Sequence, residues 1–182
     1  MIIPLFIATE RFDPTDGEKW RQYFEWAKIP NLTEIVGLDS MLCPHLPQEI
    51  CDEDWPHLVN EDFRTDYFLH LDYLLRRIQN QPRRNILGLY RNPPVHVADS
   101  PAGGDFIFMG YDLIEEQTQI SALTNCGGFP DVFNNSELNS CGLILDHGRA
   151  IEVKKLLAKK HPEEPHAQCE MYSVWLLNKA KA

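Results

Sequence analysis

The chain has 182 residues, a net charge of −10 and an isoelectric point near 5.1. Its hydrophobic fraction of 43% and charged fraction of 24% are typical of a globular protein that buries a core of its own. The negative charge disfavours binding to nucleic acids and acidic membranes, because their phosphates repel it, and favours a basic partner.

The first third of the sequence predicts a strand, a helix and a long loop. Residues 2–8 form a short apolar run that predicts a strand, and Pro4 favours the edge of a sheet, since proline donates no hydrogen bond to a neighbouring strand. Apolar residues at helical spacing predict a helix over 17–28. Residues 29–60 contain four prolines and no clear periodicity, which predicts a long ordered loop of the kind that often carries function.

The middle of the chain predicts a longer helix, a strand and a second loop. Asn60 is suited to cap a helix over 61–80, with acidic residues in its first turn and apolar residues at helical spacing after them. A brief apolar run predicts a strand over 85–90. Prolines and glycines then predict a loop over 93–104.

Two adjacent strands are predicted next. The near-continuous apolar run over 105–115 predicts a central strand that is buried on both faces, and Gly110 within it indicates a bulge or close packing. A second strand is predicted over 118–124, after a hairpin turn at 115–117. The polar run 121–129 is typical of a turn that closes a hairpin, and a pocket lining at a strand end is the alternative.

The last third predicts a short helix within 131–145, a longer helix over 147–160 and a final strand over 169–177. Asp146 is suited to cap the longer helix, and lysines in its second half complement the helix dipole. Because helices and strands do not alternate strictly, the sequence predicts an α+β fold with a mostly antiparallel sheet and helices packed on one face. We expect residues 1–182 to form a single globular domain.

The acidic segment, residues 49–66, is the strongest functional signal. Its seven acids and single arginine give it a charge of −6. Charges of this kind accelerate association with a basic protein, and an aromatic side chain can anchor the complex. The alternative is a solvated loop followed by a capped helix start. The partner-binding hypothesis assigns the contact to Glu49, Asp52, Glu53, Asp54, Trp55, Glu61, Asp62 and Asp66.

A second set of residues suggests a different chemistry. His166 and Cys169 have the spacing of a zinc-ligand pair, although zinc sites usually need two such pairs. Cys126 precedes two glycines, in a turn that could expose its thiol, and could act as a nucleophile with His147 or His166 as its base. The simpler interpretation is that the cysteines are small apolar core residues and the histidines lie at the surface. A Cys/His enzyme or metal protein built from Cys126, His147, His166 and Cys169 is thus the alternative function.

Familiar catalytic motifs are absent from the sequence, including the P-loop, G-x-S-x-G and H-E-x-x-H. Five widely spaced cysteines do not form a disulfide framework, and the N-terminus lacks a basic leader, so we expect a cytoplasmic protein. In size, acidity and lack of an active-site signature the chain resembles the immunity proteins that neutralise bacterial toxins. The sequence therefore favours a non-enzymatic protein that needs no cofactor and masks a basic partner, for example a toxin.

Overall fold

A computed structural model describes residues 3–11, 17–46, 51–59, 67–81, 83–103, 105–124 and 128–178. Within these residues the strands are β1 (Leu5–Glu10), β2 (Arg84–Arg91), β3 (Phe106–Glu115), β4 (Ile120–Ser121) and β5 (Glu170–Leu177). The α-helices are α1 (Glu18–Ala27), α2 (Leu71–Arg77) and α3 (His147–Lys160). Single turns of 3-10 helix occur at Trp55–His57, Pro101–Gly103, Asn135–Glu137 and Pro165–Gln168.

The strands form one antiparallel sheet in the order β1-β2-β5-β3-β4. The C-terminal strand β5 lies in the middle, between β2 and β3, and β1 lies at one edge, as Pro4 predicts. This sheet with its helices confirms the predicted α+β fold. No α-helix in the described ranges is both long and apolar enough to cross a membrane.

The alternation of side chains along β5 explains how the sheet is covered. Met171 and Trp175 lie on one face, in clusters that contain buried side chains of all three α-helices. Tyr172 and Val174 lie on the other face, in a cluster with loop residues such as Leu143. The helices thus pack on one face, as predicted, and loops cover the opposite face.

The predicted helix over 61–80 is wrong at its N-terminal side. Residues 60–66 lie outside the described residues, and α2 begins only at Leu71. Phe68 is extended instead and exchanges both backbone hydrogen bonds with Phe6 of β1, at 2.8 and 2.7 Å. Pairing with β1 and burial of the Phe68 ring override the local helical pattern here.

The other predicted strands and α-helices are present with shifted ends, with two corrections. The short helix expected within 131–145 is only the 3-10 turn Asn135–Glu137. The strand over 105–115 is buried on both faces only in its C-terminal part, since Ile107 is 51% exposed. The predicted second strand shortens to the two residues of β4, because the turn before it occupies 116–119. The predicted helix over 147–160 is α3, and the Asp146 carboxylate accepts a hydrogen bond from the Arg149 backbone at 2.7 Å. Gly110 lies at a β-bulge, where the register of β3 against β5 shifts.

Candidate functional site

The described part of the acidic segment is a tight turn followed by an extended residue. The chain forms the 3-10 turn Trp55–His57 and becomes extended at Leu58, which bridges to Phe68. Asp52 and Glu53 are exposed, and Trp55 is 51% exposed. An exposed indole beside carboxylates offers a partner both an apolar anchor and negative charge.

Asp54 differs from its acidic neighbours because it points inward and is only 2% exposed. Its carboxylate accepts hydrogen bonds from the Tyr73 hydroxyl at 2.6 Å, the Arg77 Nε at 3.1 Å and the Cys51 backbone at 3.0 Å. Burial raises the pKa of Asp54, but these hydrogen bonds lower it further than burial raises it, so the net shift is downward. Asp54 therefore fixes the turn onto α2 as a paired carboxylate.

One aromatic contact and one backbone hydrogen bond hold the far end of the turn against α2 and the residues just before it. The His57 ring stacks on the Tyr73 ring at a centroid distance of 3.8 Å and an interplanar angle of 12°. The His57 carbonyl accepts a hydrogen bond from the Leu69 backbone at 2.7 Å. With Asp54 at one end and His57 at the other, the turn that carries Trp55 is held at two points.

Glu53 has a local contact with Cys51. The hydrogen bond from the Cys51 thiol lowers the pKa of Glu53 and raises the pKa of the thiol. Glu53 is therefore an anion at neutral pH, and Cys51 is not an activated thiolate.

Half of the predicted partner-binding residues fall within the described part of the chain. Asp52, Glu53 and Trp55 are exposed, and Asp54 is buried. The other four, Glu49, Glu61, Asp62 and Asp66, lie outside the described residues. The exposed surface of Asp52, Glu53 and Trp55, called the Trp55 surface below, is what the structure offers to a partner.

The three described members of the Cys/His set, His147, His166 and Cys169, lie in three different environments. His147 Nε2 lies 2.8 Å from the Pro93 carbonyl, so this nitrogen carries the proton and donates. Cys169 is fully buried, and burial raises the pKa of its thiol to about 12, as expected of a core cysteine. Cys126 lies outside the described residues. Among all the described residues, including His147, His166 and Cys169, no three His, Cys, Asp or Glu side chains form a group able to hold a metal ion.

His166 is the unusual member of that set because it is 7% exposed rather than on the surface. Neither ring nitrogen has a hydrogen-bond partner among the described residues, and the ring packs edge-on against Phe129. Burial lowers the pKa of His166, although Glu115, Glu164 and Asp39 act in the opposite direction. The imidazole is thus held neutral at physiological pH.

A pocket of about 580 Å³ lies between α1 and the loop that follows β4. Tyr23 closes one wall by donating its hydroxyl to the Thr124 carbonyl at 2.9 Å. Thr124 and Gly128 both line the pocket, which favours the pocket alternative for the polar run 121–129. Trp26 also lines this pocket and is 50% exposed. The sequence analysis missed it because Trp26 does not belong to the apolar residues at helical spacing that predict α1.

A buried polar cluster was also missed. Asp39 and Asp112 are 3% and 1% exposed, and Ser121 bonds to both, through its backbone to Asp39 at 3.1 Å and its hydroxyl to Asp112 at 2.5 Å. In the sequence, Asp112 interrupts the apolar run of β3, and a charged residue inside a predicted buried strand was the signal that could have revealed this cluster. The cluster is closed to solvent and saturated with hydrogen bonds, so its role is structural.

Comparison with family models, with curated proteins and with solved structures finds no match to this chain.

Proposed function

We propose that this protein is a non-enzymatic binding protein whose Trp55 surface masks a basic region of a partner protein. The observation that carries the proposal is the half-exposed Trp55 beside the exposed acids Asp52 and Glu53. The turn that carries them is attached to α2 through the hydrogen bonds of the buried Asp54. A large aromatic side chain that the fold leaves in water is a frequent centre of a binding interface.

The rigidity of the turn supports this proposal. A surface that is ordered before binding loses less conformational entropy when the partner arrives. The three hydrogen bonds to Asp54 and the stacking of His57 on Tyr73 supply that order. The net charge of −10 adds long-range attraction toward a cationic partner.

The chemistry of the partner follows from the charges that it must cover. Desolvated carboxylates need Arg or Lys opposite them, so we propose a basic protein, such as a bacterial toxin with a cationic substrate cleft. The role would be that of an immunity protein, in the cytoplasm, without a cofactor.

The test is capture of the partner by immobilised protein from a lysate of the cells that make it, at low and high salt, read by mass spectrometry. Four baits are compared: the parent protein, Trp55→Ala, the double variant Asp52→Lys/Glu53→Lys, and the control Glu163→Lys/Glu164→Lys. The control reverses two adjacent exposed acids after α3, so both double variants change the net charge equally.

We expect the parent and control baits to retain one basic protein that is released at high salt. The Asp52→Lys/Glu53→Lys bait should lose it, and Trp55→Ala should weaken its binding on the order of thirtyfold. Retention by the Asp52→Lys/Glu53→Lys bait with an unchanged salt dependence would show that the Trp55 surface is not the contact.

The pocket between α1 and the loop after β4 favours a second candidate, a small enzyme that uses the Cys126 thiol. Cys126 lies in sequence between Thr124 and Gly128, both of which line the pocket. An activated thiol would react with an alkylating reagent well below the ordinary thiol pKa of about 8.5. Labelling of the parent and of Cys126→Ser across pH tests this candidate, and ordinary thiol reactivity of Cys126 would remove it.

A further inference from the structure

The pocket between α1 and the loop after β4 receives aromatic side chains from both of these segments. Tyr23 and Trp26 come from α1, with ring centroids 6.1 Å apart, and Phe129 and Phe133 come from the loop. Flat aromatic faces pack favourably against another aromatic ring, either stacked or edge-on. The apolar part of the pocket is therefore suited to a planar aromatic group.

Two hydrogen-bond donors of the pocket have no partner in the described part of the chain. Lys28 is the one charged side chain among the described lining residues, and its ammonium makes no ion pair or hydrogen bond with any of the described residues. Asn134 accepts the Ser136 backbone hydrogen bond through Oδ1, which leaves its Nδ2 donor without such a partner. A cation and an amide donor favour an anion, even though the whole chain carries a charge of −10.

The backbone of Lys28 is the unusual feature of this site. Lys28 follows Ala27, the last residue of α1, with a φ of 51° and a ψ of 34°. This is the left-handed conformation that glycine usually adopts after a helix, because a side chain there costs stability. Residues other than glycine in such conformations are concentrated at functional sites. A lysine therefore occupies a position that favours glycine, and a role for its ammonium explains why.

The pocket is ordered before a ligand binds. Asn135 donates through Nδ2 to the Ala27 carbonyl at 2.6 Å, which joins the loop to the end of α1 near the bond from the Tyr23 hydroxyl. The loop is also attached to α3, because the Arg149 Nη2 atom donates to the Val132 carbonyl at 3.0 Å. A site whose walls are fixed in this way loses little conformational entropy on binding.

We propose that this pocket binds a small planar aromatic carboxylate, with its ring among the aromatic side chains and its carboxylate at Lys28 and Asn134. One ammonium and one amide suit a singly charged carboxylate, whereas phosphate sites usually supply several backbone donors or arginines. The volume of about 580 Å³ is within the range of small-molecule sites. This binding needs neither the Trp55 surface nor a reactive Cys126, so it goes beyond both proposed functions.

The first test titrates the protein with naphthoate and with two matched compounds, and follows the indole N–H signals of its four tryptophans by NMR. Naphthamide keeps the planar ring without the charge, and cyclohexanecarboxylate keeps the charge without the planar ring. We expect naphthoate to shift the Trp26 signal with a Kd of about 0.1–1 mM. The two matched compounds should each bind at least about fivefold more weakly.

Two variants of Lys28 separate ligand binding from stability. Lys28→Gly removes both the ammonium and the backbone strain, so the affinity for naphthoate should fall about tenfold while the Tm rises by about 1–4 °C. Lys28→Gln keeps the strain, so it should lose the same affinity without the rise in Tm. The control Ala102→Gly relieves similar strain, at a φ of 54°, outside the pocket lining. It should raise the Tm and leave the affinity unchanged.

Two tryptophans of similar exposure supply the last control. Trp26→Ala should weaken naphthoate binding on the order of fivefold, whereas Trp55→Ala, at a side chain that is 51% exposed, should leave it unchanged. Equal affinities for naphthoate and naphthamide, or an affinity that Lys28→Gln does not alter, would overturn the carboxylate site. The absence of a Trp26 shift up to about 10 mM naphthoate would overturn it as well.

Discussion

Ser121 donates its hydroxyl to the Oδ1 atom of Asp112 at 2.5 Å, and both side chains are 1% exposed. The same carboxylate accepts from the backbones of Leu38 and Leu113, each at 2.9 Å. Asp112 thus ties the long loop after α1 to β3. Because a buried carboxylate is costly without partners, the fold depends on each of these bonds.

Replacing Ser121 with alanine removes one of those partners. We expect Ser121→Ala to lower the free energy of unfolding by about 1–3 kcal/mol, the cost of leaving a buried acceptor undersatisfied. Urea denaturation measures the loss. The control Ser136→Ala, at an exposed serine of a 3-10 turn, should change stability by less than about 0.5 kcal/mol. Equal effects of the two substitutions would contradict a structural role for the bond.

The pH dependence of stability provides a second prediction. Burial raises the pKa of Asp112 from 3.8 to about 6. Since the folded protein then binds this proton more tightly than the unfolded chain does, the stability contributed by Asp112 is greatest below about pH 4 and declines as the pH rises to about 6.

Asp112→Asn isolates this contribution, because the other carboxylates titrate in both proteins. The variant loses acceptor bonds and should be less stable overall. The stability of the parent minus that of the variant should fall by about 3 kcal/mol between about pH 4 and pH 6, then level off. Urea denaturation across this range checks it. A difference that does not change with pH would show that Asp112 titrates normally.

Gly110 gives a third prediction, from close approach of two backbones. Its φ is +141°, and an added Cβ would lie 2.8 Å from the Leu143 Cβ and 3.0 Å from the Ile144 carbonyl oxygen. Gly110→Ala should therefore cost roughly 2–4 kcal/mol of stability. Gly17 has a φ of +126°, but an added Cβ would meet no atom of the described residues within 4 Å, so Gly17→Ala carries the backbone strain without the clash. We expect thermal unfolding to show a clearly smaller loss for Gly17→Ala, and similar losses would point to strain alone.

The elements that the sequence predicts well are those with strong local signals. α3 has a capping aspartate, a periodic apolar stripe and terminal lysines, and β5 has a run of aromatic and branched residues. The predicted helix over 61–80 is wrong at 67–70, before α2 begins, because the pairing of Phe68 with Phe6 depends on a residue more than sixty positions away. No periodicity within the segment reports such a contact.

The candidate site could also be predicted only in part, because some of its features are local in sequence and others depend on contacts between distant residues. Clustered acids around Trp55 are visible in the sequence, so the segment was found. The burial of Asp54 was not visible, because Tyr73 and Arg77 reach it from a separate helix.

Asp54 and Asp52 form the sharpest matched pair for the last prediction, because they are close in sequence and differ in burial. Asp54→Asn weakens the ion pair with Arg77 and places a donor toward the Tyr73 hydroxyl, so it should cost about 1–3 kcal/mol. Asp52→Asn should leave stability within about 0.5 kcal/mol.

The pH dependence of this pair has the opposite sign to that of Asp112. Because the pKa of Asp54 is lowered in the folded protein, its contribution is complete above the unfolded pKa of about 3.9 and declines as the pH falls through the folded value. The stability of the parent minus that of Asp54→Asn, measured by urea denaturation, should therefore shrink in acid. A constant difference would mean that the hydrogen bonds to Asp54 do not favour its charged form, and that the turn is attached to α2 mainly through His57.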